Sequence, residues 1–171
     1  MRIIRNREVV DDDWVHVADE DELPAGHAYI VPLARLDRDA DAVLGRGLRL
    51  GVRVTGDVEP ERLVSWLGRL QLIAIEFPKF TDGRGYTLAR LLRERFGFGG
   101  ELRAIGQVLH DQLFYMERCG FDAFELAPGK SPERALEAFG EISVVYQSAA
   151  DGRQPRWRRG RKSPGVEEVE R

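Results

Sequence analysis

Apolar positions along the chain follow two alternating rhythms. Short runs rich in β-branched residues predict strands at 48–55 (LRLGVRVT), 72–77 (LIAIEF), 102–106 (LRAIG), 123–126 (AFEL) and 142–147 (ISVVYQ). Between them, apolar residues recur at helical spacing. Leu63, Val64, Leu67 and Leu70 predict a helix over 60–70, with Pro60 in its first turn. Leu88, Leu91, Leu92 and Phe96 predict a second over 86–97, ended by Gly97. Leu109, Leu113 and Met116 predict a third over 107–119, stopped by Gly120. A fourth spans 131–139, with Ser131 as cap and Pro132 in its first position. Strictly alternating strands and helices imply a parallel sheet with right-handed crossovers.

The first 46 residues have a different texture. Segments 2–10 and 14–18 predict strands joined by a turn at Asp11, Asp12 and Asp13. A further strand is expected over 27–36, weakened at Pro32. An acidic loop, Asp19 to Glu22, lies between them. The expected class is therefore α/β: short βα units forming a half-barrel-like or open parallel sheet, with N-terminal antiparallel strands. Three regions follow: N-terminal strands (1–46) packed on a βα domain (47–148), then a charged tail (149–171) expected to be disordered. The units are as short as those of a (βα) barrel but too few to close one. An open sheet edge suggests a homodimer, unless the N-terminal strands cover it.

Composition narrows the possible chemistry. The chain has 171 residues, and 26 Lys and Arg against 29 Asp and Glu give a net charge of −3. That balance argues against a general nucleic-acid binder. The single cysteine, Cys119, excludes an intrachain disulfide, a CxxC redox pair and a four-thiolate cluster. His16, His27 and His110 lie far apart, so neither a metal site nor a resident cofactor is expected. The charged N-terminus and the lack of a long apolar run imply a cytoplasmic protein with no membrane span. Six basic residues surround Trp157 between 153 and 162, a cluster suited either to an acidic partner or simply to solubility.

In parallel α/β folds, ligands gather beyond the carboxyl ends of the strands. Four loops qualify here: 55–59, 78–86, 106–111 and 127–131. The segment PKFTDGRGYT (78–87) is the most unusual. Gly83 and Gly85 allow positive φ and close backbone approach, Lys79 and Arg84 supply positive charge, and a helix start follows. Asp82 is a candidate to orient Arg84, cap the helix or act as general base. It contains neither a Walker A loop nor GxGxxG. The stretch GQVLHDQ (106–112) adds Gln107 and Asp111, four apart on one expected helix face with Arg118 beyond them. Asp111 and His110 are candidate proton-transfer groups, and Arg103 is a candidate anion contact.

Together, FTDGRGY (80–86), ELRAIGQVLHDQ (101–112) and RCGFDAFEL (118–126) resemble a family of bacterial proteins of unknown function labelled as oxidoreductases of sulfite reduction. The similarity extends over about residues 30–147. It implies a place beside assimilatory sulfite reductase, in sulfate assimilation and cysteine supply. Where that family carries an acidic residue after the Gly of the third βα strand, this chain has Gln107. Sulfite reduction transfers six electrons and needs sirohaem, an iron–sulfur cluster and an electron donor, for which these residues supply no ligand set. The resemblance therefore implies an accessory partner- or anion-binding protein, with sulfite reductase as the expected partner. The alternative is a small enzyme acting on an anionic metabolite, with Asp82 or Asp111 as acid/base.

Overall fold

The computed structural model describes residues 1–23, 25–45, 47–141 and 148–150. The expected strand at 142–147 and most of the expected disordered tail lie outside the described residues. Eight strands form one sheet: β1 (Arg2–Arg5), β2 (Glu8–Asp11), β3 (Trp14–His16), β4 (Ala28–Pro32), β5 (Leu50–Thr55), β6 (Leu72–Phe77), β7 (Glu101–Gly106) and β8 (Ala123–Phe124). Their spatial order is β2-β1-β8-β7-β6-β5-β4-β3. From β3 to β8 every pairing is parallel, while β1 runs antiparallel to both β2 and β8. The βα core is thus flanked by N-terminal strands on both sides.

Chain connectivity forces this sheet to curl. Strands β2 and β3 occupy opposite edges, which in a flat sheet would lie about 34 Å apart. Only Asp12 and Asp13 join them, a connection that reaches about 11 Å at most. The two edges must therefore approach each other, and the result is a half barrel. A contact distant in sequence agrees: His16 Nε2 of β3 lies 3.0 Å from Glu125 Oε2, just past β8.

The convex face carries the main core. Tyr29 and Val31 of β4, Val52 and Val54 of β5, Ile73 and Ile75 of β6, and Leu102 and Ala104 of β7 are all buried there. Helix α3 (Arg84–Glu94) covers them with Leu88, Ala89 and Leu92, and α4 (Leu113–Arg118) with Leu113 and Met116. The alternate residues point into the concave lumen, which Trp14, Ala28, Ile30, Leu72, Ala74 and Ile105 fill as a second cluster.

A charged network closes the lumen at the amino ends of the parallel strands. Arg103 is completely buried and donates to both Asp12 oxygens (2.7 and 2.9 Å) and to Glu101 (2.7 Å). Burial disfavours its charge, but Asp12 and Glu101 outweigh that and raise its pKa. Arg5 lies 2.8 Å from Glu101 in the same network, and Asp13 pairs with Arg49 at the rim.

Several local expectations need correction. Segment 2–10 is a hairpin rather than one strand, turning at Asn6 and Arg7, both at positive φ (50° and 64°). The expected strand over 27–36 stops at Pro32, where α1 (Leu33–Arg38) begins, followed by α2 (Ala40–Leu44). Leu33 and Leu36 are buried one helical turn apart, which the proline had obscured. The expected helix at 60–70 forms only a 3-10 turn at Pro60–Leu63 and further turns. Val64 is exposed there, and Ser65 and Gly68 are poor helix formers. The helix expected at 107–119 starts with a 3-10 turn at His110–Gln112. Helix α5 (Pro132–Ala135) follows its Ser131 cap, whose Oγ accepts from the Arg134 N–H.

Replacing Arg103 by Met keeps an apolar stem but takes from buried Asp12 its bidentate partner and leaves Arg5 alone to face both carboxylates. The expected loss is about 3–5 kcal/mol, measured by urea unfolding. A loss below about 1 kcal/mol would contradict the structural role given to this network.

Candidate functional site

All four nominated loops lie at the carboxyl ends of the strands, and several contacts join them. Beyond β6, a turn closed by Asp82 N–H to Lys79 O (3.0 Å) leads into α3. The Asp82 carboxylate accepts from Arg84 three times: from the backbone N–H at 3.2 Å, Nε at 2.9 Å and Nη2 at 2.7 Å. Hydrogen bonds from the Arg84 side chain and backbone lower its pKa to about 2. Asp82 is therefore ionised and engaged, an orienting group for Arg84 rather than a proton shuttle near neutrality. Arg84 also lies 3.8 Å from Asp57, beyond β5, and its own pKa is raised by Asp82. Asp57, in turn, is lowered first by a hydrogen bond from Thr55. Arg84 and Asp57 face a cleft of about 390 Å³ between the β5 loop and α3.

The two glycines of this loop serve differently from their expected conformational role. Gly83 has φ −81°, and Gly85 also lies outside the left-handed region. Gly85 matters for space: a Cβ there would come within 2.7 Å of the Phe77 ring. A Cβ on Gly56 would come within 2.4 Å of the Gly85 nitrogen. The β5 and β6 loops pack backbone to backbone.

At the end of β7, Gly106 at φ +88° turns the chain so that Gln107 N–H donates to Phe77 O (2.8 Å). Gln107 therefore precedes the helix, and the face it was expected to share with Asp111 and Arg118 does not form. Gln112 links the loops instead. Its Oε1 accepts from Leu109 N–H (3.1 Å), its Nε2 donates to Phe80 O (3.0 Å), and its side chain also hydrogen-bonds Tyr86. The Tyr86 ring meets Phe77 edge-on at 5.3 Å between centroids and lies tilted against Tyr115 at 5.2 Å. On this braced base, Phe80 and Tyr115 stand 60% and 58% exposed.

The structure thus gathers Lys79, Asp82, Gly83, Arg84 and Gly85 on one loop, with Lys79 exposed. Asp111 is exposed in the turn before α4, and Arg118 lies at that helix's far end. His110 faces Glu141 at 3.6 Å. Arg103 belongs to the opposite end of the lumen, its donors committed to Asp12 and Glu101, which corrects its expected role as an anion contact. Asp57, Phe80, Gln112 and Tyr115 were missed. An exposed aromatic at the tip of a polar Gly-containing loop was the available signal for Phe80. Among the described residues, no group of three or more His, Cys, Asp or Glu is placed to hold a metal, and no helix is long and apolar enough to cross a membrane.

Fold and loops together define a half-barrel α/β protein with an aromatic and charged surface at its strand ends. The chain belongs to a family described as bacterial protein of unknown function, DUF934, whose family model matches residues 51–157. That span begins in β5 and includes every loop just described. No curated protein matches the chain.

Two outcomes check this geometry. The Asp82 carboxyl should titrate near 2 by NMR, so its stabilising contribution is full above pH 4 and is lost as pH falls toward 2. An ordinary value close to 3.8 would contradict the Arg84 contacts. Gly85→Ala should cost about 1–3 kcal/mol through overpacking against Phe77, measured by thermal or urea unfolding.

Proposed function

We propose that this protein is a cytoplasmic accessory factor of assimilatory sulfite reduction, which docks on the reductase instead of carrying the electrons itself. The observation that carries the reading is Phe80, exposed at the tip of the FTDGRGY loop and held there by Gln112. That loop is one of the three segments that carry the resemblance to the family linked with sulfite reductase. Tyr115 extends the aromatic surface, while Lys79 and Arg84 contribute positive charge. Exposed aromatics and arginines on a rigid base are the residue types that dominate protein–protein binding.

The local charge balance favours a protein partner over a free small anion at this loop. Arg84 already faces two carboxylates, Asp82 and Asp57, so an incoming sulfur oxyanion would have to compete with both. The enzyme alternative loses Asp82 as a base, because hydrogen bonds from Arg84 lower its pKa to about 2 and leave it little affinity for a proton near neutrality.

A deletion strain should grow on sulfide but not on sulfite or sulfate as sole sulfur source. Phe80→Ala should fail to restore growth while folding normally, and should weaken co-elution with the reductase by about thirtyfold, a loss of about 2 kcal/mol. Normal growth of the deletion strain on all three sources, or a reductase whose elution and turnover ignore the chain, would overturn the proposal.

A further inference from the structure

A second site lies at the carboxyl rim of the curl, where its concave and convex faces meet. Among inward-facing positions, the amino end of the lumen is closed by Asp12, Arg103, Glu101 and Arg5, and its middle is filled by the second apolar cluster. Space remains at the carboxyl ends of β4, β5 and β6, where a cleft of about 290 Å³ opens. Pro32 lines it from the concave side, Val54 and Val58 from the convex side of the rim, and Arg53 and Glu76 supply its charges. Arg62, also on its rim, is taken up by Asp37 at 2.6 Å. The volume lies just below the usual range for ligand pockets, about 300–1,000 Å³, which suits only a small metabolite.

The spacing of Arg53 and Glu76 distinguishes this pair. Arg53 Nε stands 3.9 Å from Glu76 Oε2, too far for a hydrogen bond, with the side chains 35% and 38% exposed. The structural ion pair Arg103–Asp12 is bidentate, at 2.7 and 2.9 Å. Arg53 and Glu76 sit on adjacent strands, Arg53 opposite Ala74 and Glu76 opposite Thr55, and both project to the concave side. They present a guanidinium and a carboxylate side by side at the mouth of an apolar cleft, each with bonding capacity toward the opening.

From this geometry we propose that the cleft binds a small zwitterion of the α-amino acid class. The ligand carboxylate takes the Arg53 fork, its ammonium takes Glu76, and its side chain rests on Pro32, Val54 and Val58. A simple anion would be repelled by Glu76 and a simple cation by Arg53, so the paired charges select a molecule that carries both. This site is independent of the Phe80 docking surface, and neither proposal depends on the other.

The test is calorimetric titration of the full chain with each standard α-amino acid, then with the N-acetyl and carboxamide derivatives of any that bind. Binding of at least one amino acid is expected, weakened about tenfold or more by acetylation, by amidation, by Arg53→Gln and by Glu76→Gln. Val58→Trp, which fills the cleft while leaving both charged residues in the chain, should abolish binding in a protein whose circular dichroism is unchanged. The proposal is overturned if no amino acid binds at about 20 mM. It is equally overturned if acetylated and free forms bind alike, or if all three variants bind as the wild type does.

Discussion

The contact between Asp12 and Arg103 is the interaction on which the rest of this architecture depends. Asp12 sits in a two-residue connection between the opposite edges of an eight-stranded sheet, and Arg103 projects into the lumen from near the sheet's middle. The short connection makes a flat sheet impossible. Once the sheet curls, inward side chains must either pack or pair, because charges left alone in a dry lumen would cost several kcal/mol each. Arg103 meets this condition with two carboxylates supplied from different parts of the chain.

That closure separates the two ends of the molecule by role. The amino end is sealed with its charges neutralised. The carboxyl end collects the loops after β5, β6 and β7, where Arg84 joins Asp57 to Asp82 and Gln112 braces Phe80. Tight glycine packing between Gly56 and Gly85 brings these loops together. The docking surface and the proposed zwitterion cleft are therefore neighbours at one end of one scaffold.

Much of this organisation was legible in the residues alone. Strands β5, β6 and β7 fall on the short runs expected of them, and α3 ends at Glu94, three residues before the Gly97 (φ +63°) expected to stop it. The hairpin at Asn6 and Arg7 was not legible, because arginine seldom adopts positive φ. There the fold supplies a compensation from far away: Arg7 forms a bidentate pair with Glu117 at 2.6 Å. Arg103 was misjudged for a similar reason, since its partner Asp12 lies 91 residues earlier in the chain. The FTDGRGY loop was recognisable, whereas its braces, Asp57 and Gln112, come from other strand ends and declare themselves only in three dimensions.

A double-mutant cycle on Asp12 and Arg103, read by urea unfolding, tests the curled closure most directly. Asp12→Asn and Arg103→Met should each destabilise the protein, and the double variant should lose less than their sum by about 0.5–3 kcal/mol. Losses that add to within about 0.3 kcal/mol would mean the two residues do not meet, and the closed lumen would have to be abandoned.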